Sequence, residues 1–116
     1  MIIGVGVDII EISRIKKSID KFGDNFINHI FTDDEIKYVK KYKNPIQHYA
    51  VRFAAKEAIY KALGNSKISW KDISIYNDKN GRPYCRILKL NPNNKIHISL
   101  SHSHDYAVAN AIVEKT

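Results

Sequence analysis

The stretch between Asn44 and Gly64 restricts the fold more than any other part of the chain. Pro45 suits the first position of a helix, where its missing N–H costs nothing. Asn44-Pro45-Ile46-Gln47 has the form of a capping box, and Gly64 supplies a left-handed stop. The spacing predicts a helix over Pro45 to Leu63, roughly 19 residues and the longest element of the chain. Along it Ala54, Ala58 and Ala62 recur every fourth residue, a smooth stripe for close packing against another element.

The flanking segments supply the rest of an α+β fold. Ile2 to Ile10 is β-branched and apolar on both parities, which predicts a buried strand. Ile12, Ile15 and Ile19 follow at helical spacing, with Arg14, Lys16, Lys17 and Lys21 on the other faces. Thr32-Asp33-Asp34-Glu35 is a capping box that opens a helix through about Tyr42. Beyond Gly64 the period changes to that of strands, at Ile73 to Asn77 and at Tyr84 to Leu90, joined across an Asn80-Gly81 hairpin signal. Asn91-Pro92-Asn93-Asn94 turns the chain again, and Ile96, Ile98 and Leu100 then alternate with His97, Ser99 and Ser101. Tyr106 to Val113 is apolar on both faces, as in a central or subunit-interface strand. The order is one strand, three helices and four strands. It predicts a single domain over residues 1–116 with helices packed on a largely antiparallel sheet.

Composition narrows the function classes. A chain of 116 residues, 44% hydrophobic, can build one real core without staples. The lone Cys85 excludes an internal disulfide and any multi-cysteine zinc module. No apolar run suits a membrane span, and the N-terminus lacks signal-peptide features, so a reducing cytosol is the expected address. The net charge of +7 favours a polyanionic partner: nucleic acid, an acidic lipid surface, a phosphorylated small molecule or an acidic protein.

Three constellations could carry chemistry. Asp8 is a carboxylate inside an apolar strand, and such a group needs a partner, a hydrogen bond or a metal. Its plain reading is a strand-end residue satisfying backbone N–H groups. Along the long helix, Glu57 and Lys61 are four apart, as are Arg52 and Lys56, which taken alone is a solvated salt-bridge ladder. Against that, Phe53, Ala54, Ala58 and Tyr60 interleave with the charges. If Asp8 packs beside Glu57, two hard oxygen donors converge. Mg²⁺ commonly takes one or two carboxylates and completes its shell with water and substrate phosphates. The third constellation is Ser99 to Tyr106, where His102 and His104 share parity with Ile96, Ile98 and Leu100. A zinc pair there lacks further ligands, because His29, His48 and His97 offer no clear partner. A Ser-His nucleophile lacks an elbow sequence. A phosphate-binding strand end or a plain turn fits better.

Together these segments resemble the holo-acyl-carrier-protein synthases, the small trimeric type of the 4'-phosphopantetheinyl transferase superfamily. Gly4-Val5-Gly6-Val7-Asp8-Ile9-Ile10-Glu11 is similar to that family's opening strand. Arg52-Phe53-Ala54-Ala55-Lys56-Glu57-Ala58 with Lys61 is similar to its central helix. Asn80-Gly81-Arg82-Pro83 and Ser101-His102-Ser103 are similar to its C-terminal half. The resemblance implies the family's fold and its reaction. In that reaction 4'-phosphopantetheine moves from coenzyme A to a serine of apo-acyl carrier protein, in support of fatty acid biosynthesis, and adenosine 3',5'-bisphosphate is released. It implies that Asp8 and Glu57 hold Mg²⁺ and that Lys61 neutralises or protonates the leaving phosphate. It also implies that Lys43, Arg52 and His102 bind coenzyme A phosphates, and that Arg14 and its basic neighbours receive the acidic carrier protein. Active sites of this family lie between subunits of a homotrimer. The chain departs from the family after the central helix, where Gly64-Asn65-Ser66-Lys67-Ile68-Ser69-Trp70 is shorter and has one glycine.

The alternative class is a basic nucleic-acid-binding module. Its support is the charge and the Lys37-Tyr38-Val39-Lys40-Lys41-Tyr42-Lys43 cluster, whose plain reading is a solvated helix face. No zinc-finger or RNA-recognition signature accompanies it. A homologue that keeps the fold but has lost catalysis is a third possibility, supported by the altered loop alone.

Overall fold

Residues 1–64 and 67–116 are described by the computed structural model. Strand β1 (Ile2–Glu11) leads directly into helix α1 (Ile12–Phe22). Gly23, with φ near 57°, breaks that helix and starts a short α2 (Asp24–Ile30). Helices α3 (Asp33–Val39) and α4 (Pro45–Leu63) follow. After a 3₁₀ turn at Trp70–Asp72 come β2 (Ile73–Asn77), β3 (Pro83–Ile87), β4 (Asn94–His102) and β5 (Tyr106–Lys115).

The strands form two antiparallel sheets, one in the order β1-β5-β4 and one a β2-β3 hairpin. Helix α4 lies on the larger sheet, against β1 and β5. The close approach is written in small residues. A Cβ built on Gly4 would collide with the Ala62 carbonyl, and one on Gly6 with the Ala58 carbonyl. Across β5, Ala109 and Ala111 are fully buried opposite Asp8 and Gly6. The alanine stripe of α4 therefore meets a strand face that has been cleared of side chains, and dispersion contacts form backbone to backbone. A second cluster, around Phe31, Val39, Tyr49 and Ala50, packs α1 to α3 against the N-terminal half of α4.

Several expectations change. Among the described residues there are four α-helices rather than three, because α2 is separate; Phe26, Ile27 and Ile30 carry its helical period. Helix α3 stops at Val39, short of Tyr42. Its Thr32–Glu35 capping box forms, whereas Asn44 makes no side-chain cap to α4. Strand β3 ends at Ile87 because Lys89 takes a positive φ of 68° and turns the chain. Strand β1 is not buried on both sides. Alternate residues point away from α4, leaving Ile3, Val5, Val7 and Ile9 at 50%, 64%, 54% and 63% exposure. Tyr106–Lys115 does run centrally, between β1 and β4. The altered loop after Gly64 includes Asn65 and Ser66, which lie outside the described residues.

Candidate functional site

The inward parity of β1 that admits Gly4 and Gly6 also turns Asp8 toward α4, beside the turn of that helix that carries Glu57 and Lys61. Asp8 and Glu57 line one cleft of about 310 Å³, together with Arg14, Ser18, Phe26 and Phe53. Lys61 bonds to the Asp8 wall of the cleft: Nζ donates to Asp8 Oδ1 at 3.2 Å and to the Val7 carbonyl at 3.0 Å. The lysine side chain is 54% exposed and the aspartate 15%. Glu57 is treated differently. Among the described residues its carboxylate has no side-chain hydrogen bond, and burial, reinforced by the Asp8 charge, pushes its pKa up against the opposing pull of Lys61. Two carboxylates thus share a cleft, and the lysine beside them is bonded to Asp8 alone of the two. Hard, oxygen-only donors with repulsion left over fit a small divalent cation that keeps water and substrate ligands. Among the described residues, no group of three or more His, Cys, Asp or Glu side chains gathers, so a fully protein-built metal cage is not present there and the zinc alternative has no ligand set.

The other predicted residues lie elsewhere. Arg52 precedes Glu57 by five residues, so the helical period turns it to another side of α4. There it lines a pocket of about 190 Å³ with Tyr38, His48, Asn77, Ser101 and His102. His48 is shifted down, first by burial and then by the neighbouring charges of Arg52 and His102. Among the described residues, the two clefts have no lining residue in common. Lys43 is exposed in the loop before α4 and does not line either one. His104, expected to share parity with His102, lies past the end of β4 with its side chain 99% exposed. Arg14 belongs both to the basic face of α1 and to the wall of the carboxylate cleft.

A solvated ladder on α4 is not what forms. Lys56 is fully buried, and its three N–H bonds go to Glu35 Oε1 at 2.7 Å, the Ile30 carbonyl at 2.7 Å and the Trp70 carbonyl at 3.1 Å. Glu35 also accepts from the backbone N–H groups of Thr32 and Ile75. Sequence reasoning missed this pair, as it missed Tyr38 and Asn77 beside Arg52. The capping box marked Glu35 as a helix-start residue, and nothing local marked it as buried. The aromatic residues of the Lys37–Lys43 cluster are engaged internally: the Tyr38 and Tyr42 hydroxyls bond at 2.8 Å, and Tyr42 stacks on His48 at 3.8 Å. Burial pushes the Cys85 thiol up to about 11, which disfavours the thiolate.

Residues 4–111 match the 4'-phosphopantetheinyl transferase superfamily. The chain is similar to the holo-[acyl-carrier-protein] synthase of Protochlamydia amoebophila, 48% identical over 119 residues covering 97% of this chain and 98% of that one. The synthase of Thermodesulfovibrio yellowstonii is 46% identical over 114 residues, covering 97% and 99%. In structure, the Bacillus anthracis holo-(acyl-carrier-protein) synthase in complex with CoA (3',5'-ADP) superposes with a TM-score of 0.89 at 38% identity, covering 100% of this chain and 99% of that one.

Proposed function

The chain belongs to the 4'-phosphopantetheinyl transferase superfamily, and from that premise we propose that it transfers 4'-phosphopantetheine from coenzyme A to a serine of apo-acyl carrier protein, releasing adenosine 3',5'-bisphosphate. The observation that carries the mechanism is the Asp8–Glu57 cleft, with Lys61 bonded to Asp8 and the Glu57 carboxylate left without a side-chain hydrogen bond among the described residues. Asp8 and Glu57 would hold Mg²⁺, which would supply Lewis-acid stabilisation of the charge that builds on the coenzyme A pyrophosphate. Lys61 presents an exposed ammonium that neutralises or protonates the leaving phosphate as its negative charge grows. Arg52 and His102, with Lys43 from the adjoining loop, take coenzyme A phosphates. The attacking hydroxyl belongs to the carrier protein, which is why the chain needs no nucleophile of its own. Arg14 and the exposed Lys16, Lys17 and Lys21 of α1 receive the acidic carrier.

One chain keeps its metal-holding and phosphate-holding clefts apart, so the complete site joins the Asp8 cleft of one subunit to the Arg52 pocket of a neighbour. The bare apolar face of β1 supports this assembly: four aliphatic side chains, each half or more exposed on one strand, need covering. A homotrimer in the cytoplasm, each chain one domain over residues 1–116, satisfies both requirements. No helix among the described residues is long and apolar enough to cross a membrane.

The decisive experiment incubates the protein with apo-acyl carrier protein, coenzyme A and Mg²⁺, then weighs the carrier intact. The expected result is a gain of one phosphopantetheine group, lost on adding chelator. No gain with the unaltered protein would refute the activity, and a gain that persists in chelator would refute the metal. Light scattering on the same preparation is expected to give three chains per particle; a monomer would refute the shared site.

A further inference from the structure

Two cations are buried among the described residues, and they are held in opposite ways. Lys56 has a carboxylate, Glu35. Arg52, 2% exposed, has none. Its Nη2 donates to Asn77 Oδ1 at 2.8 Å, its Nη1 reaches the His48 carbonyl at 3.4 Å, and its buried Nε has no partner among the described residues. The guanidinium lies over the Tyr38 ring, with Cζ 4.6 Å from the centroid. Both holders are themselves fixed. Asn77 Nδ2 donates to the Gly81 carbonyl at 3.1 Å, in a hairpin turn that Gly81 enables at φ 83°. The Tyr38 hydroxyl is tied to that of Tyr42. Helix α3, helix α4 and the β2-β3 turn therefore converge on one guanidinium.

Among the described residues, the groups that hold it by hydrogen bond or ring contact are neutral: an amide oxygen, a backbone carbonyl and the Tyr38 side chain. Glu35 acts on it only through space, its carboxylate being bonded to Lys56. Neutral groups orient a cation without cancelling its charge, whereas a carboxylate would orient it and neutralise it. We propose that Asn77 and Tyr38 are positioning residues, which fix the Arg52 guanidinium in the pocket wall while leaving its positive charge available to a coenzyme A phosphate. The inference rests on the reading of this pocket as a coenzyme A phosphate site. It adds a requirement that the holders be uncharged.

Asn77→Asp is the sharpest probe, because it keeps size and an acceptor oxygen but adds a charge. Aspartate still accepts from Arg52 but cannot donate to the Gly81 carbonyl, so Asn77→Ala, which loses the same turn bond without adding a charge, is the control and is expected to bind coenzyme A more tightly than Asn77→Asp. Calorimetric titration of coenzyme A into the full chain with Mg²⁺ is expected to show Asn77→Asp binding about tenfold or more weakly, the scale of removing one charge-assisted hydrogen bond to the phosphate. At saturating coenzyme A its kcat is expected within about twofold of the unaltered protein, a change in KM rather than turnover. Tyr38→Leu is expected to weaken binding about threefold and Tyr38→Phe to restore it, since the ring face supports Arg52. The double variant Arg52→Gln/Asn77→Ala is expected to bind no more weakly than Arg52→Gln alone. Undiminished affinity in Asn77→Asp, or simple addition in the double variant, would overturn the proposal while leaving the pocket's function intact if Arg52→Gln weakens binding. If Arg52→Gln binds coenzyme A normally, the phosphate-site reading fails, and the positioning role with it. Thermal melts of each variant separate these outcomes from loss of fold.

Discussion

Helix α4 offers one lysine to each of two carboxylates, and the pairs differ in everything except their chemistry. Lys56 and Glu35 are both fully buried at 2.7 Å, and every N–H of the ammonium has an acceptor. Lys61 and Asp8 meet at 3.2 Å with the lysine 54% exposed, and beside them the Glu57 carboxylate has no side-chain hydrogen bond among the described residues. A saturated pair has nothing left to offer a ligand, so it can only hold parts together: α2, α3, the 3₁₀ turn and β2 all reach Lys56 or Glu35. An unsaturated group of two carboxylates and one lysine is costly to keep apart from counter-ions and is therefore ready to bind one. Closeness in sequence does not decide which role a charge takes; completeness of its partners does.

Breaking the buried pair is expected to have the largest effect. Lys56→Ala leaves Glu35 charged and enclosed, and should destabilise the fold by about 3–5 kcal/mol. Burial already pushes the Lys56 ammonium pKa down, with Glu35 opposing. Urea unfolding measures the change; a cost under about 1 kcal/mol would show that the pair is not structural.

Next comes Glu57→Gln, expected to lower carrier-protein modification by about 10²–10³-fold while the fold stays intact. Full activity at limiting Mg²⁺ would remove Glu57 from the metal site. The same residue sets a pH test. Its folded-state pKa lies above its unfolded value, first through burial and then through Asp8. The folded state therefore binds that proton more tightly, and the associated stability is present below the unfolded pKa and lost as pH rises through the folded one. Metal binding needs the ionised form, so Mg²⁺ affinity should fall with decreasing pH from above the ordinary carboxylate range. In Glu57→Gln that raised step should vanish; a profile unchanged from the unaltered protein would assign the step to another group.

The smallest effect is expected from Lys61→Ala on stability, at most about 1 kcal/mol, because the lysine is largely solvated. Destabilisation as large as that of Lys56→Ala would erase the contrast between the two pairs.

Much of the fold was legible locally. Pro45 and Gly64 bracket α4 as expected, and the Thr32 box opens α3. Asp8 and Glu57 could be joined from sequence because Asp8 is anomalous in an apolar strand and the two motifs together resemble a known family. Asn77 and Tyr38 carried no such signal. Each is ordinary in its own element, and the approach to Arg52 spans 25 residues in one case and 14 in the other. Glu35 misled in the opposite sense, since its capping role is real but leaves its carboxylate able to reach Lys56, 21 residues away.

The sequence alone determined where the strands fall along the chain, the ends of α4, and the residues that carry the transferase resemblance. These follow from short-range rules, namely side-chain period, capping and backbone freedom. Tertiary structure decided which charges on α4 are enclosed, which face of β1 stays bare, and that Asp8 and Arg52 line different clefts. Those outcomes depend on which surfaces meet at packing distance. The α4 alanines could reach β1 only where Gly4 and Gly6 leave no side chain in the way.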